Sequence, residues 1–144
     1  MCWIGRCIRK IAKRDITVYK LGRISENNFI SLYLNYTYEI KKINKEIKLK
    51  PDMFYEYGLE NKGAIYKGYH SYIYISMPYS GLELCSRAIY LGKRLYYISL
   101  CNPYYVAVFI IPKGSEYYEN SKGEIVSSNI IYTGKYVKIG TFKE

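Results

Sequence analysis

His70 and the cysteines Cys2, Cys7, Cys85 and Cys101 are the residues of this 144-residue chain best suited to nucleophilic or metal chemistry. Four residues separate the first cysteine pair and fifteen the second. Zinc ribbons draw their ligands from closely spaced C-x-x-C pairs. Reduced thiols in a cytosolic protein fit these spacings better, and neither a metal nor a cofactor is expected. A single imidazole excludes a two-histidine metal motif. Ser-His-Asp catalysis would have to join His70 to Asp15 or Asp52, the only aspartates, and no nucleophile elbow surrounds them. No glycine-rich loop precedes a Lys-Ser or Lys-Thr pair, so a phosphate-binding loop is unsupported. Removal of Met1 would place an α-amine beside the Cys2 thiol, an arrangement used by N-terminal nucleophiles. That chemistry also needs an oxyanion hole, for which the sequence offers no signal. Binding is therefore favoured over catalysis.

The residues that could bind are basic and aromatic. The chain carries a formal charge of +10 and twenty tyrosines. Residues 1–50 hold twelve Lys or Arg against four Asp or Glu, whereas sixteen of the tyrosines lie beyond residue 50. Lys and Arg attract acidic partners over long range, while Tyr packs a sheet or anchors an interface. Residues 1–14 interleave Arg6, Arg9, Lys10, Lys13 and Arg14 with apolar Ile4, Cys7, Ile8 and Ile11. That i, i+3, i+4, i+7 spacing predicts a short basic helix serving as a docking arm. Lys41, Lys42, Lys45, Lys48 and Lys50 form a second basic group that would extend the same surface. Their segment reads as an exposed connection or a lysine-protected edge strand.

The elements that must position these residues read as a single α+β domain spanning 1–144. Its frame is a compact, mostly antiparallel sheet. Ile16–Lys20, Phe29–Ile40, Arg94–Cys101, Tyr104–Ile111 and Ile125–Tyr132 are β-branched or aromatic runs of strand type, and Tyr104–Ile111 is expected at the centre. Lys135–Ile139 closes the sheet, and Gly22–Asn28 and Asn102-Pro103 read as turns. Ser80 and Glu83 match a capping box, followed by an apolar face at Leu82, Cys85, Ala88, Ile89 and Leu91 and a stop at Gly92. This predicts one firm helix. No apolar run of signal-peptide length precedes the first charges, and Tyr104–Pro112 falls far short of a membrane span. A cytoplasmic protein without a membrane partner is expected. Abundant Lys, Ile, Tyr and Asn suggest an AT-rich genome.

The blocks Gly68-Tyr69-His70-Ser71, Ile111–Tyr118 and Glu124–Ile131 resemble small uncharacterised proteins of bacteriophages and Bacteroidetes-type genomes. More distantly, a strand ending in Ile111-Pro112-Lys113-Gly114 and followed by a Glu-bearing strand is similar to ADP-ribosyltransferase folds. That resemblance implies Glu124 as the residue orienting a nicotinamide ribose, with Lys122 standing where the family places an acidic residue or glutamine. The phage-type resemblance implies a non-enzymatic inhibitor of a host defence nucleoprotein, anti-CRISPR-like, acting by occlusion or conformational trapping. Its partner would be a host protein or nucleoprotein with an acidic surface, or its guide RNA. A general RNA- or DNA-binding protein and an ADP-ribosyltransferase-like enzyme are the alternatives. No RNA-binding consensus or helix-turn-helix supports the former.

Overall fold

The computed structural model describes residues 3–4, 8–32, 37–39, 46–48, 64–65, 68–76, 86–99 and 104–139. Every element in them is a strand, and every hydrogen-bonded pair is antiparallel. The first half holds β1 (Trp3–Ile4), β2 (Ile8–Ile11), β3 (Ile16–Ser25), β4 (Asn28–Ser31), β5 (Thr37–Glu39), β6 (Glu46–Lys48) and β7 (Ala64–Ile65). The second holds β8 (Tyr69–Tyr72), β9 (Ile75–Ser76), β10 (Ser86–Leu91), β11 (Arg94–Ser99) and β12 (Tyr104–Ile111). It ends with β13 (Glu116–Glu119), β14 (Glu124–Ser127) and β15 (Asn129–Ile139). Ten strands form one sheet, eight of them in the order β2-β13-β14-β8-β3-β12-β15-β6, with β4 on β3 and β5 on β4. Strands β11-β10-β9 make a second sheet, and β1 pairs with β7.

The domain is thus all-β, not α+β, and both expected helices are corrected. Ser86–Leu91 is β10, which pairs residue for residue with β11 from Ser86↔Ser99 to Leu91↔Arg94. Ile89 and Leu91 satisfy a two-residue period as well as a helical one, and both are buried against Leu21. Gly92 is no helix stop; it opens the two-residue turn with φ of 64°, the positive value that hairpin turns require. Residues 80–85, including the Ser80–Glu83 box, lie outside the described residues. The N-terminal helix is likewise replaced by strands: β2 runs along β13, from Ile8↔Glu119 to Ile11↔Glu116. Ile11, placed on the apolar face of that helix, is 62% exposed, and Ala12 takes the inward position.

The turn expected across Gly22–Asn28 is narrower. Strand β3 continues to Ser25, and only Glu26 and Asn27 turn, with φ of 51° and 65°, the two left-handed residues of a type I′ hairpin. Gly22 sits inside the strand because its neighbour comes close: a Cβ there would lie 2.3 Å from the Ile30 carbonyl oxygen. Tyr104–Ile111 is a strand flanked by β3 and β15, central as its composition predicts. The stretch from Asn129 to Ile139 is one strand, and its register against β12 shifts between Ala107 and Phe109. Ala107 faces Tyr136 while Phe109 faces Tyr132, so β15 carries two extra residues there. The Thr133 hydroxyl donates to the Val108 carbonyl at 2.7 Å inside this bulge.

The main core lies on one face of the large sheet. Val18, Phe29, Tyr38, Tyr69, Phe109, Ile111, Ile125, Ile130 and Tyr132 are buried together there. Phe109 is its hub, with ring centroids 4.8 Å from Tyr38, 5.2 Å from Tyr132 and 6.0 Å from Phe29. These tilted and edge-on contacts are the geometries aromatic pairs prefer. On the other face, Leu21 packs with Ile89 and Leu91 of the small sheet, joined by Tyr72, Tyr96 and Val106. No helix among the described residues is long and apolar enough to cross a membrane.

Gly22→Ala will force the Ile30 backbone away from β3. A loss of about 2 kcal/mol in urea unfolding is expected, typical of overpacking where no side chain can yield. Unchanged stability would show that the strands can separate freely.

Candidate functional site

Two sites stand out, one basic, the other smaller and lined by a buried lysine. The first lies where β2 turns into β3. Lys10, Lys13, Arg14, Asp15, Tyr117 and Glu119 line a groove of about 860 Å³. The turn between the strands is held by Ala12, which donates to the Ser115 carbonyl at 2.9 Å and accepts from Gly114 N–H at 2.8 Å. Asp15 accepts from the Lys113 N–H at 2.9 Å. Lys10 is committed to Glu119, with Nζ and Oε1 3.2 Å apart. Lys13 and Arg14 remain exposed, with no ion pair to either among the described residues. The groove therefore mixes charges, with two cations available.

Of the remaining expected partner-binding residues, Arg9 and Lys48 lie among the described residues. Arg9 stands opposite Tyr118 in the backbone register of β2 and β13, and Lys48 opposite Asn129 in that of β6 and β15. Strands β2 and β6, which carry these two residues, stand at opposite ends of the strand order. Over Glu46–Lys48 the second group takes the edge-strand form. Arg6, Lys41, Lys42, Lys45 and Lys50, like all four cysteines, lie outside the described residues. Among the described residues, no three His, Cys, Asp or Glu side chains cluster to hold a metal.

The second site centres on Lys20, which sequence reasoning passed over as the end of a strand. Alternation along β3 sends Val18, Lys20 and Gly22 to the core face, and Lys20 is only 2% exposed. Its ammonium lies 5.5 Å from the Tyr38 ring centre and 5.7 Å from that of Phe109, close enough for cation–π attraction. It donates one hydrogen bond, to the His70 carbonyl. An ammonium has three donors, and no carboxylate among the described residues pairs with it. Burial pushes its pKa down from 10.5 to about 7. The signal was present in the sequence: at positions 16, 18, 20, 22 and 24 stand Ile, Val, Lys, Gly and Ile, one charge in an apolar register.

The strand pairing explains why Lys20 meets His70. Strand β8 pairs with β3 only at Tyr72↔Tyr19. Continuing that register would bring His70 to Leu21, but the Leu21 carbonyl already accepts from Leu32 N–H at 3.1 Å. Backbone acceptors in an interior need donors, and the His70 carbonyl takes the Lys20 ammonium in place of a ladder N–H. Where β8 and β4 part, a cavity of about 140 Å³ opens, lined by Lys20, Ser31, Leu32, His70, Tyr72 and Tyr96 among others.

Glu124, implied by the ADP-ribosyltransferase resemblance, is 5% exposed and already engaged. Its Oε1 lies 3.2 Å from Arg94 Nε and accepts from Asn120 Nδ2 at 2.8 Å. Asn120 Oδ1 in turn accepts from the Glu124 and Lys122 N–H groups. The carboxylate ties the small sheet to the large one. Burial, then the nearby Glu124 charge, holds the Tyr96 hydroxyl above the ordinary phenol range. No protein-family model, curated protein or solved structure matches this chain.

Lys20 gives stability a defined pH dependence. Among the described residues, the titratable groups around it are Tyr38 of β5, whose ring its ammonium faces, and His70 and Tyr72 of β8 and Tyr96 of β11, which line the adjoining cavity. Its folded pKa lies below its unfolded value, so between about 7 and 10.5 the unfolded chain binds the extra proton, and stability rises with pH across that window. The penalty for burying the charge is fully present below pH 7. Relative to Lys20→Met, the protein should gain about 2 kcal/mol between pH 7 and pH 9 in urea titrations. A flat difference would mean that the ammonium is solvated.

Proposed function

We propose that this chain is a non-enzymatic binding protein that docks an acidic protein surface through the groove around Lys13 and Arg14. The observation that carries this reading is the composition of that groove: two available cations beside a tyrosine, with Asp15 and the Lys10–Glu119 pair on its walls. A tract built for nucleic acid neutralises successive phosphates with uninterrupted Lys and Arg. Carboxylates on the walls oppose that and suit a protein partner, whose own surface carries both signs. A nearby apolar hollow lined by Tyr19, Val106, Val108 and Val137 adds the kind of surface that protein interfaces use.

The partner we favour is a nucleoprotein effector of bacterial defence, engaged on its protein component and blocked by occlusion or trapping. The phage-type resemblance of Gly68–Ser71, Ile111–Tyr118 and Glu124–Ile131 supports that choice. General binding of RNA or DNA is the second reading, supported by the +10 charge.

Affinity capture from a bacterial host, with and without nuclease, separates the two. A defence effector identified by mass spectrometry should stay bound after nuclease digestion, and Lys13→Glu with Arg14→Glu should reduce its recovery about tenfold or more, the scale of losing two interface charges. Recovery that disappears with nuclease would move the assignment to nucleic acid. An unchanged yield from the double variant would remove the groove from the interface.

A further inference from the structure

Lys20 and its cavity are not used by the groove, yet they hold the arrangement of a reactive amine. Lys20, 2% exposed, lines a small cavity whose wall also includes Leu32, 43% exposed. Among the described residues it makes a single hydrogen bond, to a backbone carbonyl, and its ammonium lies near the aromatic rings of Tyr38 and Phe109. A carboxylate partner would hold a lysine as an inert cation; among the described residues none is paired with this one. The hydroxyl-bearing residues Ser31, Tyr72 and Tyr96 line the same cavity.

We propose that the cavity beside Lys20 is a binding site for a short, uncharged aldehyde or ketone, held as a reversible imine on the lysine nitrogen. The Nζ lone pair attacks the carbonyl carbon, and the π pair moves to oxygen. A proton passing from nitrogen to that oxygen gives the carbinolamine. Loss of water, with the second amine proton, forms the C=N bond, and added water reverses the sequence. No electrons leave or enter. Burial, which leaves much of the amine unprotonated near pH 7, supports the nucleophile's role.

The cavity selects by size and charge. A volume of about 140 Å³ matches roughly five water molecules at liquid density, which admits a chain of a few heavy atoms and excludes a sugar phosphate or nucleotide. Among the described residues no second lysine or arginine lines it, so a carboxylate on the ligand would find no cation from them once Lys20 is converted. This is why the ligand is an uncharged carbonyl compound rather than a 2-oxo acid.

The test uses the full chain, propanal and sodium cyanoborohydride at pH 7, with peptide mapping at short times. Lys20 should be alkylated about tenfold faster than exposed Lys13, Lys93, Lys113 and Lys122. Its lead should shrink at pH 10 and vanish in urea. Pyridoxal phosphate, too large for the cavity, should show no preference for Lys20. Lys20→Arg should remove the fast site and leave the slower ones unchanged. Alkylation of Lys20 at or below the rate of the exposed lysines in the native protein would overturn the proposal, whatever the behaviour of the variant.

Discussion

Strand β3 offers more hydrogen-bonding edge than one neighbour covers, and the division of that edge sets the shape of the molecule. One side belongs to β12 from Ile16 to Gly22. The other is shared: β8 touches it at Tyr19, and β4 takes over from Gly22 to Ser25. At the handover, Leu21 bonds forward to Leu32, and the Lys20 ammonium spans the gap to His70. A lysine is long enough to make that bridge without interrupting the core register. The same splitting lets β4 and β5 swing across the face, bringing Tyr38 onto Phe109 and Tyr69. Cavity, core lid and buried cation share one cause.

The tyrosines follow from this construction. Tyr38, Tyr69, Tyr118 and Tyr132 are buried, while Tyr105, Tyr117, Tyr72 and Tyr96 are partly covered at the edges of the two cores. A sheet that curls over itself needs large rings to fill its interior, and a phenol can place its ring inside with its hydroxyl toward polar ground. The basic charge has a different location: the strand edge and turn around Lys10, Lys13 and Arg14. The sequence already separates the two, with charge in residues 1–50 and most tyrosines beyond, and the structure gives a tyrosine body with a basic corner.

Much of the sheet was legible because its signals were local. Tyr104–Ile111 is β-branched or aromatic at every position but Ala107 and is bounded by prolines, so it could hardly be anything but a central strand. The helix at 80–91 failed because Ile89 and Leu91 satisfy two periods, and the choice belongs to a partner: Arg94–Ser99 offers a complete ladder beyond a two-residue turn. For β2 the deciding strand, β13, lies about a hundred residues away, beyond any window of periodicity. The residues of the basic groove were legible by charge, but the Lys10–Glu119 pairing that halves its strength was not. Lys20 was legible and overlooked, since a lone charge in an inward register is visible only once the register is trusted.

The two extra residues in β15 opposite Val108 carry a consequence for how this fold can change length. Because side chains alternate sides with every residue, an offset of two leaves Tyr136 on the same face as Tyr132, where it meets Tyr105 edge-on at 5.8 Å between ring centres. An offset of one would have turned the strand's whole end inside out. Descendants of this chain can therefore lengthen or shorten Thr133–Lys135 only in steps of two, so insertions and deletions at this point in its lineage should come in even numbers.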